Sequence, residues 1–211
     1  MTISKPNPQP SLIILVKEPK IGNVKTRLAK DLGFFEATKW FRHESGLTIR
    51  RLSQAPFWKT MLGVTPNHNY ATSKIKIWIN RVERLPQGDG ELGERFVYMA
   101  RKILRGPVIM IGSDIPNIKI KHLVNAIRVL SSHDVVFGPS PDGGFWLIGF
   151  KHPQRHNRRQ FAKVRWSTQH ALRDCEDRLS QFTIGYINEL GDIDTIQDLK
   201  RHSQMRVRYY C

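Results

Sequence analysis

The stretch Ser11-Leu-Ile-Ile-Leu-Val16-Lys17-Glu-Pro19-Lys20-Ile-Gly22-Asn-Val-Lys25-Thr-Arg27-Leu28 decides how this chain is read. Ser11–Val16 is an unbroken apolar run, the pattern of a strand covered on both faces. Pro19 and Gly22 then mark a loop, and a helical segment opens at about Thr26. A buried strand that turns into a helix is the first half of a βα unit. It predicts a mostly parallel sheet with helices on both sides.

Working outward, the same alternation continues. Phe34 to Gln54 has helical periodicity through Ala37, Trp40, Phe41 and Leu47, and Lys59–Val64 and Ile75–Ile79 have the composition of strands. Leu85–Gly93, with Pro86, Gly88, Gly90 and Gly93, reads as a loop, followed by a helix over Glu94–Leu104. Pro107–Gly112 (PVIMIG) is a second buried strand. After it, Ile120, Leu123, Val124, Ile127 and Leu130 fall at offsets 0, 3, 4, 7 and 10, one apolar stripe of a helix. Val135–Gly138, Phe145–Phe150 and Phe182–Ile187 are further strands, and Thr168–Arg178 and Ile196–His202 further helices. The expected architecture is a single α/β domain over residues 11–211, a Rossmann-like three-layer α/β/α sandwich, behind a flexible leader at residues 1–10.

Composition narrows the class. With 211 residues, 40% hydrophobic and 25% charged, the chain is long enough for one sizeable core and short for two. Its longest early apolar run is too short to cross a bilayer, and the leader lacks the charged start of a signal peptide. A cytoplasmic location without a membrane span follows as the expectation. Two cysteines, Cys175 and Cys211, make neither a disulfide framework nor a thiolate metal site. Lys and Arg number 34 against 18 Asp and Glu, for a net charge of +16. A field of that sign favours anionic partners such as nucleotides, phosphorylated metabolites, nucleic acids or acidic membrane surfaces.

Four motifs carry candidate chemistry. The loop after the first strand offers Lys17, Lys20, Lys25 and Arg27 as cations and Gly22 for close backbone approach, at the end of the sheet where α/β proteins bind ligands. It matches neither a Walker A loop nor a dinucleotide fingerprint. Gly112-Ser-Asp114-Ile-Pro116 places a carboxylate at the end of a buried strand, where it suits Mg²⁺ or Mn²⁺ or caps a helical turn. Gly138-Pro-Ser-Pro-Asp142-Gly143-Gly144 reads equally as a ligand-binding turn, with Asp142 as metal ligand, hydroxyl partner or base, and as an Asp-Gly hairpin. In Gly191-Asp192-Ile-Asp194-Thr195 a helix cap by Asp194 or Thr195 is preferred over a paired-carboxylate metal site. Histidine metal spacing and nucleophile elbows are absent, so covalent hydrolase chemistry has little support.

Read in order, Pro19-x-x-Gly22-x-x-Lys25-Thr-Arg27-Leu28, Pro86-Gln-Gly-Asp-Gly-Glu-Leu92-Gly93-Glu94-Arg95, Ile111-Gly-Ser-Asp114-x-Pro116, Gly138-Pro-x-x-Asp142-Gly143-Gly144, Trp166-Ser-Thr and Asp192-x-Asp194-Thr195-x-x-Asp198-Leu199 resemble one family. It is the bacterial glycosyltransferase A-type transferases labelled radical-SAM/selenodomain-associated. The motifs run from about residue 12 to 199. The resemblance implies a nucleotide-diphospho-sugar transferase fold with a mixed sheet, and a more distant likeness to the molybdenum-cofactor and phospholactate guanylyltransferases. The usual Asp-x-Asp is replaced here by the single carboxylate of Ser113-Asp114-Ile-Pro116.

The resemblance implies a glycosyltransferase using a nucleotide-diphosphate-sugar. Lys17, Gly22, Lys25, Arg27 and Arg95 would bind phosphates, and Asp114 would hold Mg²⁺ or Mn²⁺. Asp142 would be the catalytic group, with Gly143 and Gly144 clearing space for substrate. A nucleotidyltransferase, using a nucleoside triphosphate and a phosphorylated acceptor and releasing pyrophosphate, is the alternative. A non-catalytic nucleotide- or nucleic-acid-binding protein is third, and nucleic acid is not an expected partner. The basic stretch Lys151–Arg165 is read as a solvated loop, with recruitment of an anionic acceptor as its other reading.

Overall fold

The computed structural model describes residues 8–69 and 82–202. Most of the leader, the strand expected at Ile75–Ile79, and Cys211 lie outside the described residues. Seven strands form one sheet: β1 (Ser11–Lys17), β2 (Lys59–Thr65), β3 (Glu83–Pro86), β4 (Val108–Gly112), β5 (Val135–Pro139), β6 (Phe145–Phe150) and β7 (Ile184–Tyr186). Their spatial order is β3-β2-β1-β4-β6-β5-β7. All pairings are parallel except those of β6, which runs antiparallel to both β4 and β5. The mixed sheet is the one expected.

Alternation along β1 sorts the core. Leu12, Ile14 and Val16 join one apolar cluster, while Ile13 joins the other. The first cluster is roofed by α2 (Phe34–Ser53), through Phe41, Ile49 and Leu52, and by α4 (Ile120–Ser132), through Leu123, Ala126 and Leu130. The second is roofed by α3 (Leu92–Ala100), through Phe96, Val97 and Met99, by Phe161, and by Cys175 of α5 (Ala171–Arg178). Three layers result.

Several boundaries differ from those expected. The helix at Thr26 is only the short α1 (Ala29–Leu32), separated from α2 by Gly33 at φ 78°. Leu85–Gly93 is not all loop, because β3 takes in Leu85 and Pro86. A proline is tolerated there because β3 is an edge strand. The helix expected over Glu94–Leu104 starts and ends earlier, at Leu92–Ala100.

From β1 the chain builds outward through β2 to β3, then returns to place β4 on the other side of β1. The strand order thus switches direction between β1 and β4. Crevices in open α/β sheets form beyond the carboxyl ends of strands at such a point.

Candidate functional site

The loop after β1 and the loop after β4 meet at this switch point. Lys25 Nζ lies 2.9 Å from Asp114 Oδ2, 2.7 Å from Asp194 Oδ1 and 3.4 Å from Asp192 Oδ2. Arg27 reaches the other oxygen of Asp194 at 3.3 Å. The Lys25 side chain is only 4% exposed, and its backbone sits at φ 49°, in the left-handed region that non-glycine residues rarely adopt. Gly112 leaves room for the partner, since a Cβ there would come 3.0 Å from Asp114 Oδ1.

The cluster sets its own protonation. Burial pulls Lys25 towards neutrality, but Asp114, Asp192 and Asp194 outweigh it and hold the ammonium well above its ordinary value. Burial pushes Asp192 up to about 6 against the pull of Lys25, and the charges of Asp194 and Asp114 add to the push. Burial acts upward on Asp194 too, but the Lys25 charge and hydrogen bond prevail and leave its carboxyl below the usual range.

Asp114 and Asp192 face a cleft of about 240 Å³ that also includes Asp142, Ser140, Trp146 and Trp166. Asp142, Asp192 and Ser140 line a second cavity of about 400 Å³ as well, where Arg27, Asp194 and Thr195 contribute. The two cavities share a carboxylate-lined border. Asp142 arrives in the β5–β6 turn, where its Oδ1 accepts from the Gly144 backbone N–H at 3.0 Å. Gly144 lines the cleft. Gly143 sits at φ 80° with the backbone of Gln169 against it: a Cβ would meet the Gln169 carbonyl oxygen at 2.2 Å. Its smallness therefore serves packing of the 168–172 segment, whose Leu172 N–H donates to the Gly143 carbonyl.

Other candidates stand further out. Lys17 ends β1 and is exposed, and Gly22 lies on the exposed loop with open space around it. Arg95 spends its Nε on the Gly90 carbonyl at 2.8 Å and lines neither cavity. Lys20 pairs with Glu18 at 3.0 Å.

Sequence reasoning preferred Asp194 or Thr195 as the cap of the last helix over a paired-carboxylate site. Thr195 takes that role together with Asp198: the Asp198 carboxylate accepts from the Thr195 N–H at 2.9 Å, and Asp198 N–H reaches back to the Thr195 hydroxyl. The helix over 196–202 is thereby served, and both preceding aspartates are released to Lys25. Trp166, Ser167 and Thr168 were also missed as site residues. All three line the cleft, and Ser167 has a second left-handed backbone, at φ 60°.

Mg²⁺ and Mn²⁺ are held by one or two carboxylates with substrate phosphate oxygens completing the shell. Asp114 and Asp192 each give one oxygen to Lys25 and keep a second hard oxygen beside the cleft. That donor set fits such an ion. Among the described residues no group of three His, Cys, Asp or Glu is arranged to hold a metal by itself.

A mostly parallel mixed sheet flanked by helices is the fold this chain shares with solved nucleotide-related transferases. The chain belongs to the bacterial family described as "Uncharacterized protein conserved in bacteria (DUF2064)", whose model matches residues 48–168. No match is found among curated proteins. A crystal structure from Desulfovibrio desulfuricans G20, provisionally named a nucleotide-diphospho-sugar transferase, is 25% identical. It superposes with a TM-score of 0.82 over 90% of this chain and 84% of that one. A cytidylyltransferase from Leptospira borgpetersenii is 16% identical, with a TM-score of 0.58 over 90% of this chain and 83% of its own. CMP:2-keto-3-deoxy-manno-octonic acid synthetase, complexed with CTP, is 12% identical, with a TM-score of 0.55 over 96% and 100%. The last two likenesses are of fold alone.

Proposed function

We propose that the protein is a metal-assisted transferase that takes a nucleotide-diphosphate-sugar as donor. The observation that carries this reading is the meeting of Lys25 with Asp114, Asp192 and Asp194 at the switch point, on the wall of a cleft that also holds Asp142. Asp114, Asp142, Asp192, Asp194 and Asp198 put five carboxylates there against three cations, Lys25, Arg27 and Arg201. An anionic donor entering such a cleft needs a cation of its own, and Asp114 would hold it. A bound divalent ion supplies charge neutralisation for the departing diphosphate.

The chain's own residues divide the remaining work. Lys25 fixes the carboxylates. Lys17, exposed and without an ion pair among the described residues, together with the exposed Arg27, is the cation available to phosphate. The aromatic walls, Trp146 and Trp166, exclude water from the donor. In the transfer, an acceptor hydroxyl oxygen bonds to the anomeric carbon as that carbon's bond to the diphosphate oxygen breaks. The electron pair leaves with the nucleoside diphosphate, and the hydroxyl proton passes to Asp142. Consumption of Lys25 and Lys20 in ion pairs favours a diphosphate over the more highly charged triphosphate of nucleotidyl transfer.

A thermal-shift panel of nucleotide-sugars and nucleoside triphosphates, with and without Mn²⁺, tests this. Nucleotide-sugar with metal should raise the melting temperature most, since bound ligand stabilises by mass action. A response to triphosphates alone, with pyrophosphate released, would replace glycosyl with nucleotidyl transfer. A flat panel would overturn both.

A further inference from the structure

A cavity of about 810 Å³ lies at the far end of the sheet from the cleft. Pro10, just before β1, Pro107, just before β4, and Lys151, just after the antiparallel β6, all line it. Three independent features mark it.

The first is surplus apolar surface. In the stripe of α4, Leu123 and Leu130 are buried, whereas Val124 and Ile127 are only half covered and open into the cavity. The second is the rim, where Leu104 is 83% exposed and Phe57 52% exposed. The third is charge. Arg128 and Lys151 line the cavity, no carboxylate does, and Leu104 is flanked in sequence by the exposed Lys102 and Arg105. The Asp134 carboxylate, near Lys151, is turned to Thr183, whose N–H and hydroxyl both donate to it.

Lys151 Nζ donates to the Ser131 carbonyl at 2.7 Å, and among the described residues none of Arg105, Arg128 and Lys151 makes a salt bridge. Apolar tips set among such cations suit an interface with hydrocarbon on one side and phosphate on the other. A nucleic acid would satisfy the cations and leave Leu104 and the apolar floor in water. We propose that this face docks the protein on an anionic lipid bilayer. Leu104 and Phe57 enter the acyl boundary, and Arg105, Arg128 and Lys151 meet lipid phosphates. No helix among the described residues is long and apolar enough to cross a membrane, so the attachment is peripheral. The cleft, at the opposite end of the strands, stays open to solvent substrates.

Co-sedimentation of the full chain with vesicles tests the docking, using phosphatidylcholine mixed with phosphatidylglycerol against phosphatidylcholine alone. Binding should need phosphatidylglycerol and weaken with salt. Arg105→Gln and Arg128→Gln should each weaken it about fivefold, the loss of one surface cation. Leu104→Ser, at an exposed position, should weaken it about tenfold with an unchanged melting temperature. No sedimentation with either vesicle overturns the proposal. So does a Leu104→Ser protein that binds as well as the parent, because attraction would then be charge alone. An RNA arm separates the remaining partner: cation variants that lose RNA binding but keep vesicle binding assign the cations to nucleic acid and overturn the docking surface.

Discussion

Lys25 holds three carboxylates that would otherwise repel one another, and it does so from a strained backbone. Removing one partner from a buried ion cluster leaves uncompensated charge. Lys25→Met should therefore destabilise the fold by about 3 kcal/mol, read as a lower urea midpoint. Added Mg²⁺ should restore part of that loss, because the vacated position is lined by hard oxygens; a variant indifferent to Mg²⁺ would remove the carboxylates from consideration as a cation site. Asp114→Ala should abolish the metal-dependent part of nucleotide-sugar binding while the circular dichroism spectrum stays that of the parent. Two titrations oppose each other on acidification. Asp192 is raised to about 6, so protonating it favours the folded state, and that contribution is lost as pH rises through 6. His156 lies buried between Phe150, at 4.2 Å, and Phe182, at 4.7 Å, and burial lowers it from 6.5 to about 4. Its contribution is complete above pH 6.5 and is lost as pH falls towards 4, up to about 3 kcal/mol. His156→Phe should flatten that acid loss in urea midpoints taken from pH 7 to 4; an unchanged slope would place its origin elsewhere.

At the level of elements, α3 and the segment before α5 shape the cleft through close packing. A Cβ on Gly93 would meet Phe161 Cβ at 2.2 Å and Trp166 Cζ2 at 2.7 Å. Gly93→Ala should cost about 1–3 kcal/mol, the usual penalty of overpacking, and should shift Trp166 fluorescence because that ring is a cleft wall. Melting temperature and the emission spectrum check both. This contact joins residues far apart in sequence, so local pattern could not reveal it. The strands were legible because runs such as Leu12–Val16 and Val108–Ile111 are apolar throughout. Helix starts were less so: α5 begins at Ala171 rather than Thr168, because Thr168 Oγ1 accepts the His170 N–H and donates to the Arg165 carbonyl in a local turn. The pairing of Asp192 and Asp194 with Lys25 was passed over for a related reason. Asp, Thr and Asp crowd the helix start, and sequence alone did not say which carboxylate caps and which reaches across to Lys25.

Across the whole molecule, a net charge of +16 coexists with a cleft that holds more carboxylates than cations. The long-range field and the site's own needs are thus separated. Raising NaCl should slow donor association, as screening dictates, whereas chelating divalent ions should abolish affinity at any salt. Calorimetry with and without EDTA distinguishes the two; donor affinity untouched by EDTA would return the phosphates to protein cations.

The ion cluster spans almost the entire chain, with Lys25 bonded to partners 167 and 169 positions later. During synthesis the first βα unit leaves the ribosome long before Asp192 and Asp194 exist, so its lysine waits without two of its three counter-charges. On the proposed reading, donor recognition would switch on only at the last stage of translation, and a polypeptide ended before Asp192 should not take up the nucleotide-sugar.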